Sequence, residues 1–209
     1  MPRPPRLFVD GIYHVISHGS DDRHLFLSSD DRTTFLDRLA LVLERFTLPL
    51  IEYALLGNHD HLVLATPGGR VSAALQQLHT WYSRTHNRRQ GRSAHLFQAH
   101  FFARELKSDE DLLVAGRYVA HNPVAAGLCR DPFAWPWSSA AANAGRSEPA
   151  IPLDHGPLRA ALGDTDDWRR RYREFIEAGA EVSRTPPSAT SAGRPGRMTG
   201  APGRATFGR

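Results

Sequence analysis

Two residue pairs in this 209-residue chain are best suited to chemistry: His59 and His61 in GNHDHLVL, and Tyr118 and Asn122 in GRYVAHNPV. Alternate residues of a strand share a face, so both imidazoles can converge on one ion while Asp60 points the other way. Two imidazoles suit first-row divalent ions, and a phosphodiester substrate would add oxygen ligands that admit Mg or Mn. Residues four apart on a helix share a side, so the Tyr118 phenol and the Asn122 amide can face one site. A tyrosine oxygen can attack a phosphodiester, and the covalent link conserves bond energy for a later hydroxyl to reseal the strand. A phenol is a weak nucleophile near neutrality, so metal charge and in-line placement must supply most of the help. Taken singly, each pair also has an ordinary reading. With 11 histidines in the chain, an HxH pair can be two sheet residues, and a tyrosine off the apolar stripe can be plain surface.

Phosphodiester chemistry needs a surface that holds a polyanion. The formal net charge is only +4, and five of the 26 basic residues fall after Val182, leaving 21 against 22 acidic ones. The segment from Arg70 to Lys107, however, carries seven basic residues and only Glu105 to oppose them. Arg84, Arg88, Arg89, Arg92, Arg104 and Lys107 are therefore the candidate DNA-binding residues. Trp81, Tyr82, Phe97, Phe101 and Phe102 are interleaved with them and offer base stacking on single strands, although Phe97 and Phe101 read better as core. A single cysteine, Cys129, excludes an intrachain disulfide framework. No apolar run approaches the roughly 20 residues of a membrane span, and MPRPPRLFVDG lacks a secretory signal's apolar stretch, so a cytoplasmic location is expected.

These residues must be positioned by a small set of elements. Alternation in GIYHVISH puts Ile12, His14, Ile16 and His18 on one side of a strand. Capping side chains at Ser28–Asp31 precede a helical stripe, Phe35 to Phe46, closed by Pro49. Leu50–Leu56 and the strand ending at Ala65 form a hairpin through Gly57-Asn58, a dipeptide suited to positive φ. A second helix carries Val71, Leu75, Leu78 and Tyr82 and ends in HNRRQGRS, and a fourth strand is expected over Phe97–Leu106. A capping box at Ser108–Asp111 opens a third helix, expected to stop near His121 because Pro123 disfavours helical geometry before it. On this helix Leu112, Leu113, Gly116, Val119 and Ala120 form the apolar arc, with Tyr118 roughly opposite. The order implies an α+β fold, one antiparallel sheet with helices packed on it. Trp135 to Ser139 reads as irregular packing chain, Trp168 to Ala178 as one more helix, and the Pro/Gly/Ser/Arg-rich stretch from Ser183 as disordered.

Four motifs, GIYHVISHG, GNHDHLVL, GRYVAHNPVAAGL and WPWSS, together resemble the REP-associated tyrosine transposases, within the single-tyrosine HUH (IS200-like) transposase family, over roughly Arg6 to Ala144. The resemblance implies a ferredoxin-like core and single-stranded, hairpin-forming DNA as partner. It also implies cleavage through a 5′-phosphotyrosine intermediate with a free 3′ hydroxyl. By motif position it makes Tyr118 the nucleophile, His59 and His61 the metal ligands, and Asn122 the residue completing coordination of Mg or Mn. It divides the chain into a catalytic domain over residues 1–145, an extension over 146–182 and a basic tail over 183–209, in a monomer or homodimer. Several positions depart from the family pattern: Gly57 stands for a proline, Asp60 for an apolar residue, His18 and Ser20 for Arg and Asn, and Ala125 for Arg. Three other readings stay open on the sequence: a domesticated hairpin-binding protein, a relaxase-like nickase, and a metal-dependent hydrolase in which Tyr118 is incidental.

Overall fold

The elements follow one another as periodicity predicts: β1 (Ile12–His18), α1 (Ser29–Phe46), β2 (Leu50–Leu55), β3 (His59–Ala65), α2 (Val71–Gln90), β4 (Phe102–Leu106) and α3 (Asp109–Ala125). This computed structural model describes residues 8–93 and 95–179. The expected tail, residues 183–209, lies outside the described residues. Three short helices follow α3, namely α4 (Ala140–Asn143), α5 (Gly156–Ala161) and α6 (Trp168–Glu177). Among the described residues no helix is long and apolar enough to cross a membrane.

The sheet is antiparallel in the order β2-β3-β1-β4, the ferredoxin-like arrangement, with β1 and β3 as the central pair. Both faces are covered. On one face α1 and α2 bury Phe35, Leu39, Leu75, Leu78 and Tyr82 against Tyr13, Val15, Leu62 and Leu64. On the other, α3, α5 and α6 bury Leu112, Val119, Leu158, Trp168 and Ile176 against Ile51 and Val63. The pleat explains the division, since alternate residues of β1, β3 and β4 belong to different cores, and in β2 an irregularity between Leu50 and Glu52 shifts the alternation by one residue.

Local capping chemistry sets the helix starts. Ser28 Oγ accepts from Asp31 N at 3.2 Å and the Asp31 carboxylate accepts from Leu27 N at 2.9 Å, while Ser108 Oγ accepts from Asp111 N at 3.1 Å. Each such cap stabilises its helix by about 1 kcal/mol. Asp111 reaches one residue further back than a capping box requires, to the N–H of Lys107 at 3.1 Å.

Three expectations are corrected. The hairpin between β2 and β3 forms, but neither Gly57 nor Asn58 takes positive φ. A Cβ at residue 57 would meet only the exposed His24 ring, with Nδ1 at 2.8 Å, which would have to turn aside. The fourth strand begins at Phe102 rather than Phe97. Residues 96–98 pair instead with the end of β1, through Ser20 N to Leu96 O at 2.9 Å and Gln98 N to His18 O at 2.8 Å. Finally, α3 runs through Pro123 to Ala125. A proline within a helix removes its own N–H bond, crowds the carbonyl four residues back and disfavours, without forbidding, a helical residue before it. Bonds from Ala126 N to Asn122 O and from Leu128 N to Pro123 O, each 2.9 Å, close the last turn beyond it.

Residues 137–139 do more than pack. Leu55 N donates to Trp137 O and Ser139 N to Tyr53 O, covering the outer edge of β2. Inside the α3 face lies a buried carboxyl, Glu52 on β2, among Gly116 of α3, Asn143 of α4 and Tyr172 of α6. Burial raises its pKa from 4.5 to about 8, and the neighbouring Tyr172 hydroxyl and Asn143 amide offset this only in part. A carboxyl whose folded pKa is raised contributes stability that is present below the unfolded value and lost as pH climbs through the folded value. Glu52→Gln is accordingly expected to match wild type near pH 4.5 and to melt at progressively higher temperature than wild type up to about pH 8. Melting curves that run parallel across this range would exclude the ionisation.

Candidate active site

The central strand pair assembles the site. In the β1–β3 register His18 faces His59, Ile16 faces His61 and His14 faces Val63, so all four histidines project from the face that α3 covers. The His18 and His59 rings stack with centroids 4.9 Å apart, and His59 and His61 meet edge-on at 4.9 Å. His14 Nε2 lies 3.0 Å from His61 Nδ1. Tyr118 sits above them, its ring 5.5 Å from that of His61 and 5.9 Å from that of His14.

Tyr118 therefore does not face outward from the helix, as an arc drawn on α3 alone suggests. Helix α3 has a second covered side: Arg117 lies 3.7 Å over the Phe175 ring, and His121 Nε2 bonds Ile176 O at 2.8 Å. Part of the apolar arc belongs to the C-terminal helices, which leaves the Tyr118 flank over the sheet. One turn on, Asn122 Nδ2 donates to Tyr118 O at 3.4 Å, and the Asn122 amide lies near enough to His59 and His61 to favour their protonated forms.

The electrostatics keep both imidazoles of the HxH pair neutral. Burial first, then the positive forms of His14 and His59, hold His61 well below its ordinary pKa, while burial and His18 lower His59. His14 is lowered to about 4 by burial and by Arg104. Neutral imidazoles carry the lone pair that a metal requires.

The donor set fits a divalent ion. His61 Nε2 is buried and has no hydrogen-bond partner. His59 Nδ1 is held by Asn58 Oδ1 at 2.8 Å, which assigns the proton to Nδ1 and leaves Nε2 for a ligand. With the Asn122 oxygen these make two nitrogens and one oxygen. Among the described residues no three His, Cys, Asp or Glu side chains gather as a metal cage, so further ligands would come from substrate or water.

Asp60 points into the opposite core, as its place between the two histidines requires, and is fully buried. Neither oxygen makes a regular hydrogen bond, and burial raises its pKa to about 8, with the Ser17 hydroxyl across the strand pair opposing the rise.

The basic residues of the segment from Arg70 to Lys107 do not form one patch. Helix α2 returns from the far end of β3 over roughly 30 Å, so its last turns, with exposed Arg84 and Arg88 and then Arg92, reach the His59 end of the sheet on the face away from Tyr118. Arg89 is committed internally, 3.3 Å from Asp31 Oδ1 and 3.3 Å from Thr34 Oγ1. Arg104 projects beside His14 and pairs with Asp111 at 2.8 Å. Lys107 follows the opposite end of β4, roughly 17 Å from Phe102. Sequence reasoning overlooked Arg23, whose charge together with those of Arg92 and Arg89 depresses His86, although burial is the largest cause. It also did not assign His14, His18 or Asn58 to the site. The alternation in β1 put His14 and His18 on one side, but only the register brings them to His61 and His59.

A family model described as "Transposase IS200 like" matches residues 8–122, which contain every member of the histidine, tyrosine and asparagine constellation. The chain belongs to the IS200-like transposase family. This transposase is similar in fold to a solved REP-associated tyrosine transposase bound to a REP hairpin, with a TM-score of 0.60 and 15% identity over 74% of this chain and 92% of that one. A structure from Deinococcus radiodurans R1 assigned as a transposase aligns with a TM-score of 0.40 and 16% identity over 55% of this chain and 92% of that one. No curated protein matches the sequence.

Proposed function

We propose that this transposase cuts and rejoins single-stranded, hairpin-forming DNA through Tyr118. The observation that carries the reading is the convergence of Tyr118 on neutral His59 and His61 and on Asn122, in a chain of this family. The Tyr118 oxygen gives up its phenolic proton and forms a bond to phosphorus, the bond to the 3′ oxygen breaks, and that oxygen takes up a proton to become a free 3′ hydroxyl. Attack by a 3′ hydroxyl on the phosphotyrosine reverses the exchange and returns the proton to the phenol. A Mg or Mn ion held by His59, His61 and Asn122 would polarise the scissile phosphate. Asn58 and His14 fix the orientation of the two imidazoles. The solved neighbour's REP hairpin supports a hairpin as the substrate form.

The deciding experiment incubates the chain with end-labelled hairpin DNA and Mn or Mg. A protein–DNA adduct that survives denaturation and disappears with chelator or in His59→Ala/His61→Ala is the expected result. Tight binding with no adduct under any metal would make the protein a hairpin-binding module instead.

The DNA path is tested separately. Arg88→Ala combined with Arg92→Ala is expected to weaken single-strand binding and to flatten the dependence of affinity on salt, by about 0.7 in log–log slope for each phosphate that is no longer neutralised. Arg89→Ala should instead lower the melting temperature, because it releases Asp31 at the start of α1. An unchanged salt slope in the double variant would remove these two arginines from the path.

A further inference from the structure

Among the described residues Phe102 is the one Phe, Tyr or Trp side chain left exposed, at 45%. The other aromatics of its basic segment are used internally: Tyr82 and Phe97 are buried, Phe101 stacks on Phe8, and Trp81 lies 4.9 Å beneath the Arg38 guanidinium. An isolated exposed apolar residue needs no explanation by itself, but the position of this one is specific.

Strand pairing places Ala54, His61, Ile16 and Phe102 in a single row across the sheet. Residues in one row share a face, so Phe102 projects on the Tyr118 side, two strand spacings or roughly 10 Å from His61. A nucleotide spans that gap from its phosphate to its base. Strand β4 is the sheet edge, so the flank beyond Phe102 has no neighbouring strand among the described residues. Two residues along the same face stands Arg104, opposite His14 and steadied by Asp111 at 2.8 Å, a cation beside the seat that suits the backbone of a DNA strand. An aromatic face next to a cation, a fixed short distance from a phosphate site, is what stacking recognition of an unpaired base requires.

We infer that Phe102 is the stacking seat for the base adjoining the phosphate held at Tyr118, and that it makes the site select unpaired DNA. Bases in a duplex are already stacked on both sides, so the seat rewards only a base that is single-stranded or extruded. The inference rests on the proposed reading of the Tyr118 site, and its test is separable from that reading.

In the full chain with Mn present, 2-aminopurine is placed in turn at each nucleotide flanking the cleavage point of a hairpin oligonucleotide. Wild type and Phe102→Trp should quench one position, and Phe102→Ala should abolish that quenching. The alanine variant should also lose about ten- to a hundredfold in single-strand affinity with its salt slope unchanged, and show the loss in KM more than in kcat. Equal quenching and affinity in Phe102→Ala would overturn the assignment. So would an altered monomer–dimer equilibrium with DNA affinity intact, which would make the residue a contact between copies. Phe102-dependent quenching without a covalent adduct would retain the seat and reject the tyrosine mechanism, whereas an adduct indifferent to Phe102 would do the reverse.

Discussion

Tyr118→Phe is expected to lower strand cleavage by at least about a thousandfold while leaving hairpin affinity and melting temperature near wild type. Phenylalanine keeps the ring that packs edge-on against His14 and His61 and removes only the oxygen that would form the bond to phosphorus. Loss of a covalent nucleophile leaves binding and electrostatic stabilisation in place but closes the reaction route. The measurement is single-turnover cleavage of labelled hairpin DNA beside equilibrium binding. If the variant cleaves within tenfold of wild type, water is the nucleophile and the protein is a metal-dependent hydrolase that uses the same histidines.

Gly116→Ala is the second change expected to have a large effect, and it acts two residues from Tyr118. A Cβ at this position would sit 2.7 and 2.8 Å from the two Glu52 carboxyl oxygens and 2.9 Å from its Cδ. A carboxyl on the surface would swing aside, but Glu52 is 1% exposed and enclosed by Asn143 and Tyr172. Helix α3 must therefore lift or tilt. Overpacking of this kind costs about 1–3 kcal/mol, visible as a lower melting temperature. The displacement also moves Tyr118 and Asn122 relative to His59 and His61, and a misplacement of about 1 Å can reduce rate by about a hundredfold. Glu52→Ala in the same chain makes room for the new methyl group and should recover much of the missing cleavage, a coupling that a double-mutant cycle measures. Cleavage at wild-type rate in Gly116→Ala alone would show that the height of α3 over the sheet does not matter.

Much of this arrangement is legible in the chain itself. The period-2 alternation of GIYHVISH, the helical stripe of α1 and the cap at Ser108 are local patterns set by residues a few positions apart, and each element forms where its pattern lies. Misreadings have two sources. Pro123 stays helical because residues 126–128 bond back across it within the same turn, whereas the segment from Phe97 to Phe101 leaves the fourth strand because Leu96 and Gln98 bond the distant end of β1. The basic residues between Arg70 and Lys107 look like one patch along the sequence, yet α2 carries Arg84 and Arg88 over the face away from Tyr118 while Arg104 stands beside His14 on the Tyr118 face.

The spacing of His59 with His61 and of Tyr118 with Asn122 belongs to the sequence alone, since backbone periodicity alone decides which side chains share a face. Tertiary structure decides what those faces meet. Strand register brings His14 across 47 residues to His61 and puts Phe102 in the same row, while the contact between Gly116 and Glu52 sets how closely α3 approaches the sheet. Register and helix height depend on packing between segments far apart in the chain, which no local pattern encodes.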